Sequence, residues 1–206
     1  MSMFSGIIKN VGIITRVTKK SAGIEYEVTP KFYAKADDIT HTMKRSWKIG
    51  ESVLVAGICS TVTKKTSRSF TVFHMPETLA KTTSAEWKKG VQVNIEPSLK
   101  VGDDISGHIV SGHVDGVARV RSITPEGECR RILFSLSKEL ANYLIPKGSV
   151  AVDGVSLTVV EAGKQSFSVA LIPYTLAHTT LGALRKGDVV NIEVDMMAKY
   201  IEKYLH

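Results

Sequence analysis

The sequence predicts an all-β fold: two similar antiparallel barrels in tandem, followed by a terminal helix. Three observations carry this expectation: self-similarity at a fixed offset, short β-branched runs punctuated by Gly, Lys and Ser, and a change of apolar period at the end of the chain. Residues 52-SVLVAGICSTV-62 align with 149-SVAVDGVSLTV-159, 69-SFTVFHMPETLAKTT-83 with 166-SFSVALIPYTLAHTT-180, and 89-KGVQVNIE-96 with 186-KGDVVNIE-193, all at an offset of 97. Across the 45 columns from 52 to 96, 21 are identical without a gap. Upstream, 5-SGIIKNVG-12 resembles 111-SGHVDG-116 after a two-residue adjustment. The halves are therefore 1–98 and 99–194, each long enough for one small packed domain. Two copies are too few for a solenoid.

Along the chain, strand-like runs fall at Gly12–Val17, Val53–Val62, Phe70–Phe73 and Val91–Ile95, then at Val117–Val120, Ile132–Leu136, Val150–Val159, Phe167–Leu171 and Val189–Val194. β-branched residues pack well on a pleated surface, and at this domain size closure into a barrel leaves no unpaired edge. Short helical turns interrupt each copy. Pro76 and Pro173 stand at first helical positions, where the missing N–H costs nothing, and Ser137 is placed to cap a turn over Lys138–Tyr143. Beyond the second copy, Met197, Tyr200, Ile201, Tyr204 and Leu205 fall at i, i+3, i+4, i+7 and i+8, one stripe on a helix within residues 195–206. The first copy has no such helix. The stripe either lies on its own domain or meets copies of itself in an oligomer, and the pattern favours neither.

With 43% hydrophobic and 23% charged residues, the composition is that of a globular protein rather than a disordered, collagen-like or coiled-coil chain. No run approaches the roughly 18 apolar residues of a membrane span, and Lys9 interrupts the amino terminus, so a soluble cytoplasmic protein without a membrane partner is expected. Cys59 and Cys129 stand 70 positions apart with no CxxC, which gives no support to a disulfide framework or a thiolate zinc site. His108 and His113 are five apart, so on a strand their rings point to opposite faces, and no metal is expected. The net charge of +7 raises the question of nucleic acid. Yet Lys19-Lys20, Lys64-Lys65 and Lys88-Lys89 fall at turn positions, and no aromatic residues form a patterned cluster with Lys or Arg, so no nucleic-acid partner is expected.

Tandem similar barrels imply two similar small-molecule pockets, and an asymmetric task would show in the differences between copies. Cys59 faces Ser156, Ala56 faces Asp153, and Ile7 faces His113. His113 reads either as a structural residue beside glycine or as a group titrating near neutral pH. Cys59 reads either as a small buried hydrophobe or as a nucleophile.

Met3-Phe4-Ser5-Gly6-Ile7-Ile8, Met75-Pro76-Glu77-Thr78-Leu79 with Thr82-Thr83, Val93-Asn94-Ile95-Glu96, Gly107-His108 through Gly116, and Lys147-Gly148-Ser149 through Val159 stand in an order and spacing that resemble the riboflavin synthases of the alpha-chain type, lumazine-binding tandem barrels, over nearly the whole chain. The resemblance implies two six-stranded antiparallel Greek-key barrels and a C-terminal helix that assembles a homotrimer. It places the active site between the first barrel of one subunit and the second barrel of its neighbour. The implied reaction is a dismutation of two 6,7-dimethyl-8-ribityllumazine molecules by transfer of a four-carbon unit, with no metal or redox cofactor. Lumazine synthase is a further partner compatible with it.

Transferred residue by residue, the resemblance implies one substrate pocket from Gly6, Ile7 and Ile8 with Ser156, Leu157, Thr158 and Ala170, Leu171, Ile172, Pro173, Tyr174 and Thr175. The other comes from Cys59, Ser60, Thr61, Phe73, His74, Met75, Pro76, Glu77, Thr78, Gly112, His113, Val114 and Lys147. The family's candidates for chemistry match Phe4, Ser52, Cys59, His113 and Thr158. The role implied for His113 is to move the proton of the acidic C7 methyl, and that for Ser52 and Cys59 to activate or mimic the nucleophile that adds at C7. Two departures stand out. Ala56 and Ser60 replace an amide and an apolar residue of the usual Asn-Gly-Val-Cys-Leu-Thr-Val, and Met1-Ser2 precede the usual start. The stretch Thr40–Trp47 is unusually rich in cations. The nearest alternative is a non-catalytic antenna protein that binds lumazine or flavin in one working pocket. Such relatives look degraded at Gly-His…Ser-Gly-His, which is intact here with His108 and His113.

Overall fold

The computed structural model describes residues 2–31 and 46–205. Met1, residues 40–45 of the cation-rich stretch and His206 lie outside them. Strands β1 (Asn10–Lys20), β2 (Gly23–Pro30), β3 (Ser52–Val55), β4 (Ile58–Lys65), β5 (Phe70–His74) and β6 (Gln92–Pro97) close a barrel in the order β1-β2-β5-β4-β3-β6. β7 (Gly116–Glu126), β8 (Cys129–Ser135), β9 (Ser149–Val152), β10 (Val155–Gly163), β11 (Ser166–Leu171) and β12 (Val189–Val194) close a second, with the same order around the ring. All pairings are antiparallel. Helix α1 (Pro76–Lys81) and a 3-10 turn at Thr83–Glu86 precede β6, and α3 (Pro173–His178) with a turn at Thr180–Ala183 precedes β12. Helix α2 (Lys138–Ala141) begins at Ser137, whose side chain accepts from Leu140 N.

The strands differ from the expected runs in two ways. Val53–Val62 and Val150–Val159 are each two strands, broken at Ala56-Gly57 and Asp153-Gly154, where both residues take positive φ, at 46° and 81° and at 45° and 81°. A two-residue hairpin turn matching the right-handed twist requires that conformation, and glycine adopts it without strain. β2 has no counterpart among the expected runs, because Ile24-Glu25-Tyr26-Glu27-Val28 alternates inward and outward residues rather than forming an apolar block.

Pairing also extends the repeat. Gly12 pairs with Val93 and Ala118 with Val190, so Gly12 corresponds to Ala118 and the upstream segments match at a constant offset of 106 with no adjustment. The sequence match had instead put glycine on glycine. Gly12 answers to close packing: a Cβ there would stand 2.5 Å from Ile95 Cδ1. Bulges fall at corresponding places, between Ile14 and Arg16 and between Val120 and Ser122, and again between Val62 and Lys64 and between Val159 and Glu161.

Each barrel encloses its own core, one around Tyr26, Phe70 and Trp87, the other around Phe134 and Phe167. The seam between them is reciprocal. Asn94 Nδ2 donates to Asp153 O at 3.0 Å while its Oδ1 accepts from Thr180 N at 2.8 Å; Asn191 Nδ2 donates to Ala56 O and its Oδ1 accepts from Thr83 N, both at 2.8 Å. The two hairpin turns abut so closely that a Cβ on Gly57 would lie 2.8 Å from Gly154 N.

Asp153 also accepts from Asn191 N at 2.8 Å, but burial dominates and pushes its carboxyl up to about 7. Between the unfolded value of 3.8 and about 7 the folded chain holds a proton that the unfolded chain releases, so this residue's contribution falls as pH rises through that window and is lost above it. Asp153→Asn, which suits the turn equally, should therefore be more stable than wild type at pH 8, by on the order of 2–4 kcal/mol, and nearly level with it at pH 4. Thermal midpoints of the two proteins at both pH values check this; a gap that does not change with pH contradicts it.

The last element, α4 (Met196–Leu205), starts with Asp195 Oδ1 accepting from Met197 N at 2.9 Å and is pinned to the second barrel by a 2.7 Å ion pair between Lys199 and Asp115. Of its stripe, Met197, Tyr200, Ile201 and Tyr204 are exposed. Among the described residues no helix is long and apolar enough to cross a membrane.

Candidate active site

Each half lends its opening Ser-Gly turn to the other half's barrel. Ser156 N donates to Gly6 O at 2.8 Å, and Cys59 N donates to Gly112 O at the same distance. Glycine is required at both turns, with φ of 74° and 78°, and a Cβ would lie 2.6 Å from the Cβ of Ser156 or of Cys59. Between the turns, Phe4 pairs with Val110, its own counterpart in the repeat.

A buried carboxylate holds each turn. Glu193 Oε1 accepts from Ser111 N and Oγ, both at 2.7 Å, and its Oε2 from Gly112 N at 2.9 Å. Glu96 does the same for Ser5 and Gly6 at 2.8, 2.7 and 3.0 Å. Burial raises both carboxyls while these donors oppose it. Neither glutamate was among the expected site residues, although both close the matched Val-Asn-Ile-Glu segments. A carboxylate that ends a strand motif in both copies is the signal that could have found them.

Around the Gly112 turn lies a cavity of about 210 Å³ lined by Ile58, Cys59, Glu77, Thr78, Lys81, Thr82, Gly112, His113 and Val114. Six of these are expected site residues; Ile58, Lys81 and Thr82 are additions. Thr82 had stood in the matched Thr82-Thr83 pair, and Lys81 is one helical turn beyond Glu77, 3.4 Å from its carboxylate. Cys59 is half-buried, and burial pushes its thiol up despite a hydrogen bond from Ser52. Ser2 Oγ in turn donates to Ser52 Oγ at 2.6 Å. His113 is exposed on the rim, its N–H held by Ser111 Oγ at 3.2 Å.

At the twin location, Ser156 stands for Cys59 and Ile7 for His113. Ser156 Oγ is 2.7 Å from His108 Nδ1. Tyr174 stacks on His178, ring centroids 4.1 Å apart, where α1 has its Glu77–Lys81 pair. Pro173 and Thr175 begin α3 beside them, next to the exposed Ile172. Thr61 and Thr158 occupy matching exposed positions on β4 and β10.

Several expected residues do not offer side chains to a pocket. Phe4 is fully buried in the seam with Leu54, Val110 and Ala151, behind Cys59. Ser60, His74 and Leu171 point into barrel interiors and Ile8 is buried beside the second core, because neighbouring residues on a strand face opposite ways. Phe73 and Leu157 are half-buried, Met75, Pro76 and Ala170 exposed, and none of the five lines the cavity.

Lys147 is exposed at a loop of the second barrel and does not line the cavity either. Its φ is 70°, where the first barrel has Gly50 at 87°, and both donate to the corresponding carbonyl, Val159 O or Val62 O, at 2.8 Å. A left-handed non-glycine residue costs about 1–2 kcal/mol. Lys147→Gly should therefore raise stability by about 1 kcal/mol in denaturant unfolding, while lowering turnover if the lysine reaches ligand from a neighbouring chain. An unchanged unfolding midpoint would count against the strain.

A larger space of about 670 Å³ opens between the barrels beside Trp87, Val117 and Asp153. It contains neither Cys59 nor His113 nor any other expected site residue.

Two matched barrels, each completed by the other's Ser-Gly turn, with a cavity at one of the two docked turns and different polar groups at the other, have the frame of a duplicated ligand-binding protein. The chain belongs to the lumazine binding domain family, whose model matches residues 5–98 and again 111–195. It is similar to a riboflavin synthase of Chlamydia pneumoniae, 42% identical over 96% of this chain and 92% of the relative, and to one of Actinobacillus pleuropneumoniae, 38% identical over 98% and 90%. Among solved structures it is similar to LumP complexed with 6,7-dimethyl-8-(1'-D-ribityl) lumazine, with a TM-score of 0.78 at 25% identity over 93% of this chain and 98% of that one. The LumP complex with riboflavin gives 0.79 at 26% identity with the same coverage.

Proposed function

We propose that the chain catalyses the riboflavin synthase reaction: one 6,7-dimethyl-8-ribityllumazine gives a four-carbon unit to a second, yielding riboflavin and 5-amino-6-(ribitylamino)uracil. The observation that carries this is the inequality of two otherwise matched sites. One has Cys59 and His113 lining a cavity, with Ser52 against the thiol; its twin keeps the serine, as Ser149, but has Ser156 and Ile7 in place of the other two. Two copies of one substrate with different fates call for two pockets of one design.

In this reading His113, on the rim, moves the proton of the acidic C7 methyl. Cys59 stays a neutral thiol and, with the Ser52 hydroxyl, holds the nucleophile that adds at C7. Phe4 acts from behind Cys59 by packing, and Thr158 stands at the twin site. The two barrels, residues 1–98 and 99–194, act as donor and acceptor modules across a subunit boundary. Support comes from size: a cavity of about 210 Å³ falls short of the roughly 300 Å³ and upward of a small-molecule pocket, which fits a site that a neighbouring chain completes. Lys147 reaches in from that chain. The stripe on α4 joins three copies into a homotrimer in the cytoplasm, with lumazine synthase as a further partner.

Stoichiometry tests the proposal. Purified protein given the lumazine should form one riboflavin for every two lumazines consumed, read by absorbance and fluorescence. A bound but unconverted lumazine would identify an antenna protein instead.

A further inference from the structure

The first barrel is built around a polar cluster that the second lacks. His74 ends β5, is 2% exposed, and has its Nε2 3.0 Å from Ser60 Oγ. Its ring centroid lies 5.2 Å from that of Tyr26 and 5.5 Å from that of Trp87, and those two rings meet edge-on at 5.2 Å. The Tyr26 hydroxyl donates to Ser84 O. In the second barrel the corresponding residues are Ile132 for Tyr26, Leu157 for Ser60, Leu171 for His74, Leu181 for Ser84 and Leu184 for Trp87. All five are aliphatic. The fold therefore closes without the cluster, and barrel packing does not explain it.

Two paths lead from the cluster to the cavity of the amino-terminal barrel. Ser60 Oγ donates to Ile58 O at 3.2 Å, so it accepts from His74 Nε2–H; Ile58 and Cys59 both line the cavity. On the other side, Ser84 Oγ is 2.8 Å from Thr82 Oγ1, which donates to Thr78 O at 2.7 Å, and both threonines line the cavity too. This arrangement leaves His74 Nδ1 buried without a partner, a cost of about 1–3 kcal/mol that leucine would not incur. Burial keeps the imidazole neutral by pushing it down to about 4.

We propose that His74 is a positioning residue for the amino-terminal pocket: through Ser60 it sets where Ile58 and Cys59 stand against the bound heterocycle, a duty without counterpart in the other pocket. This rests on the ligand reading above. The test uses the full-length assembled protein, riboflavin binding by fluorescence quenching, and turnover of the lumazine. His74→Leu, copying Leu171, should weaken one set of riboflavin sites about tenfold, leave the other set unchanged, and lower kcat more than it raises KM. His74→Gln, whose amide N–H can still donate to Ser60, should recover to within about threefold of wild type. Ser60→Leu/His74→Leu copies the second barrel at both positions and so controls for strain in the single variant, and it should bind no worse than His74→Leu. The proposal is overturned by equal weakening at both sets of sites, by isotherms that superimpose on wild type, or by a glutamine variant no better than leucine. A wild type that binds riboflavin but makes none would refute the catalytic reading alone, since the binding arm still decides the role of His74.

Discussion

Ile201→Glu combined with Tyr204→Glu is expected to leave both barrels folded, to abolish self-association, and to lower turnover by more than about 10³-fold. The two side chains are 56% and 81% exposed, yet their helix is anchored through Lys199 to Asp115, so the charges change what the helix offers outward and not how it sits. The size of the loss follows from what the proposed assembly would supply. Orienting two reactants is worth roughly 7–11 kcal/mol, whereas one general acid or base contributes about 10² to 10⁴ in rate. His113→Ala in an assembled protein should accordingly slow turnover without abolishing it. Sedimentation velocity reads the assembly, and riboflavin formation reads the rate. A double variant that sediments as a monomer and retains wild-type turnover contradicts the shared site, and complete loss in an assembled His113→Ala protein contradicts the ranking.

Glu193→Ala should remove about 3 kcal/mol of stability and disable the Cys59 pocket, because it leaves Ser111 N and Gly112 N without the carboxylate they face. Glu96→Ala should cost a similar amount but act on the other pocket, through Ser5 and Gly6. Each glutamate ends a strand of one barrel and holds the turn docked on its neighbour. Denaturant unfolding gives the loss in stability, and riboflavin binding by the two variants should fail at different sites. If both variants lose the same set of sites, the turns are not serving separate pockets.

The barrels were legible because the duplication shows without a gap and because runs such as Phe167–Leu171 are unambiguous strands. β2 escaped because Glu25 and Glu27 break its apolar run, and the hairpins hid inside Val53–Val62 and Val150–Val159 because their turns take only two residues each. The cavity was legible where short motifs carry it, at Gly112-His113 and at Glu77-Thr78. What stayed hidden depends on which face of a strand a residue occupies. Ser60 and His74 belong to matched segments, yet only the closed barrel shows that they turn away from the ligand side. The carboxylates at Glu96 and Glu193 act across more than 80 residues of chain, and no local pattern exposes that.

The reciprocal docking of the Ser-Gly turns bears on how such a molecule could arise. A half-length ancestor with the serine, glycine, asparagine and glutamate of either copy would satisfy every one of these contacts by pairing with an identical chain about a two-fold axis, giving two indistinguishable binding sites. In a single joined chain that symmetry need no longer be exact, and the two sites are free to differ as Cys59 and His113 differ from Ser156 and Ile7.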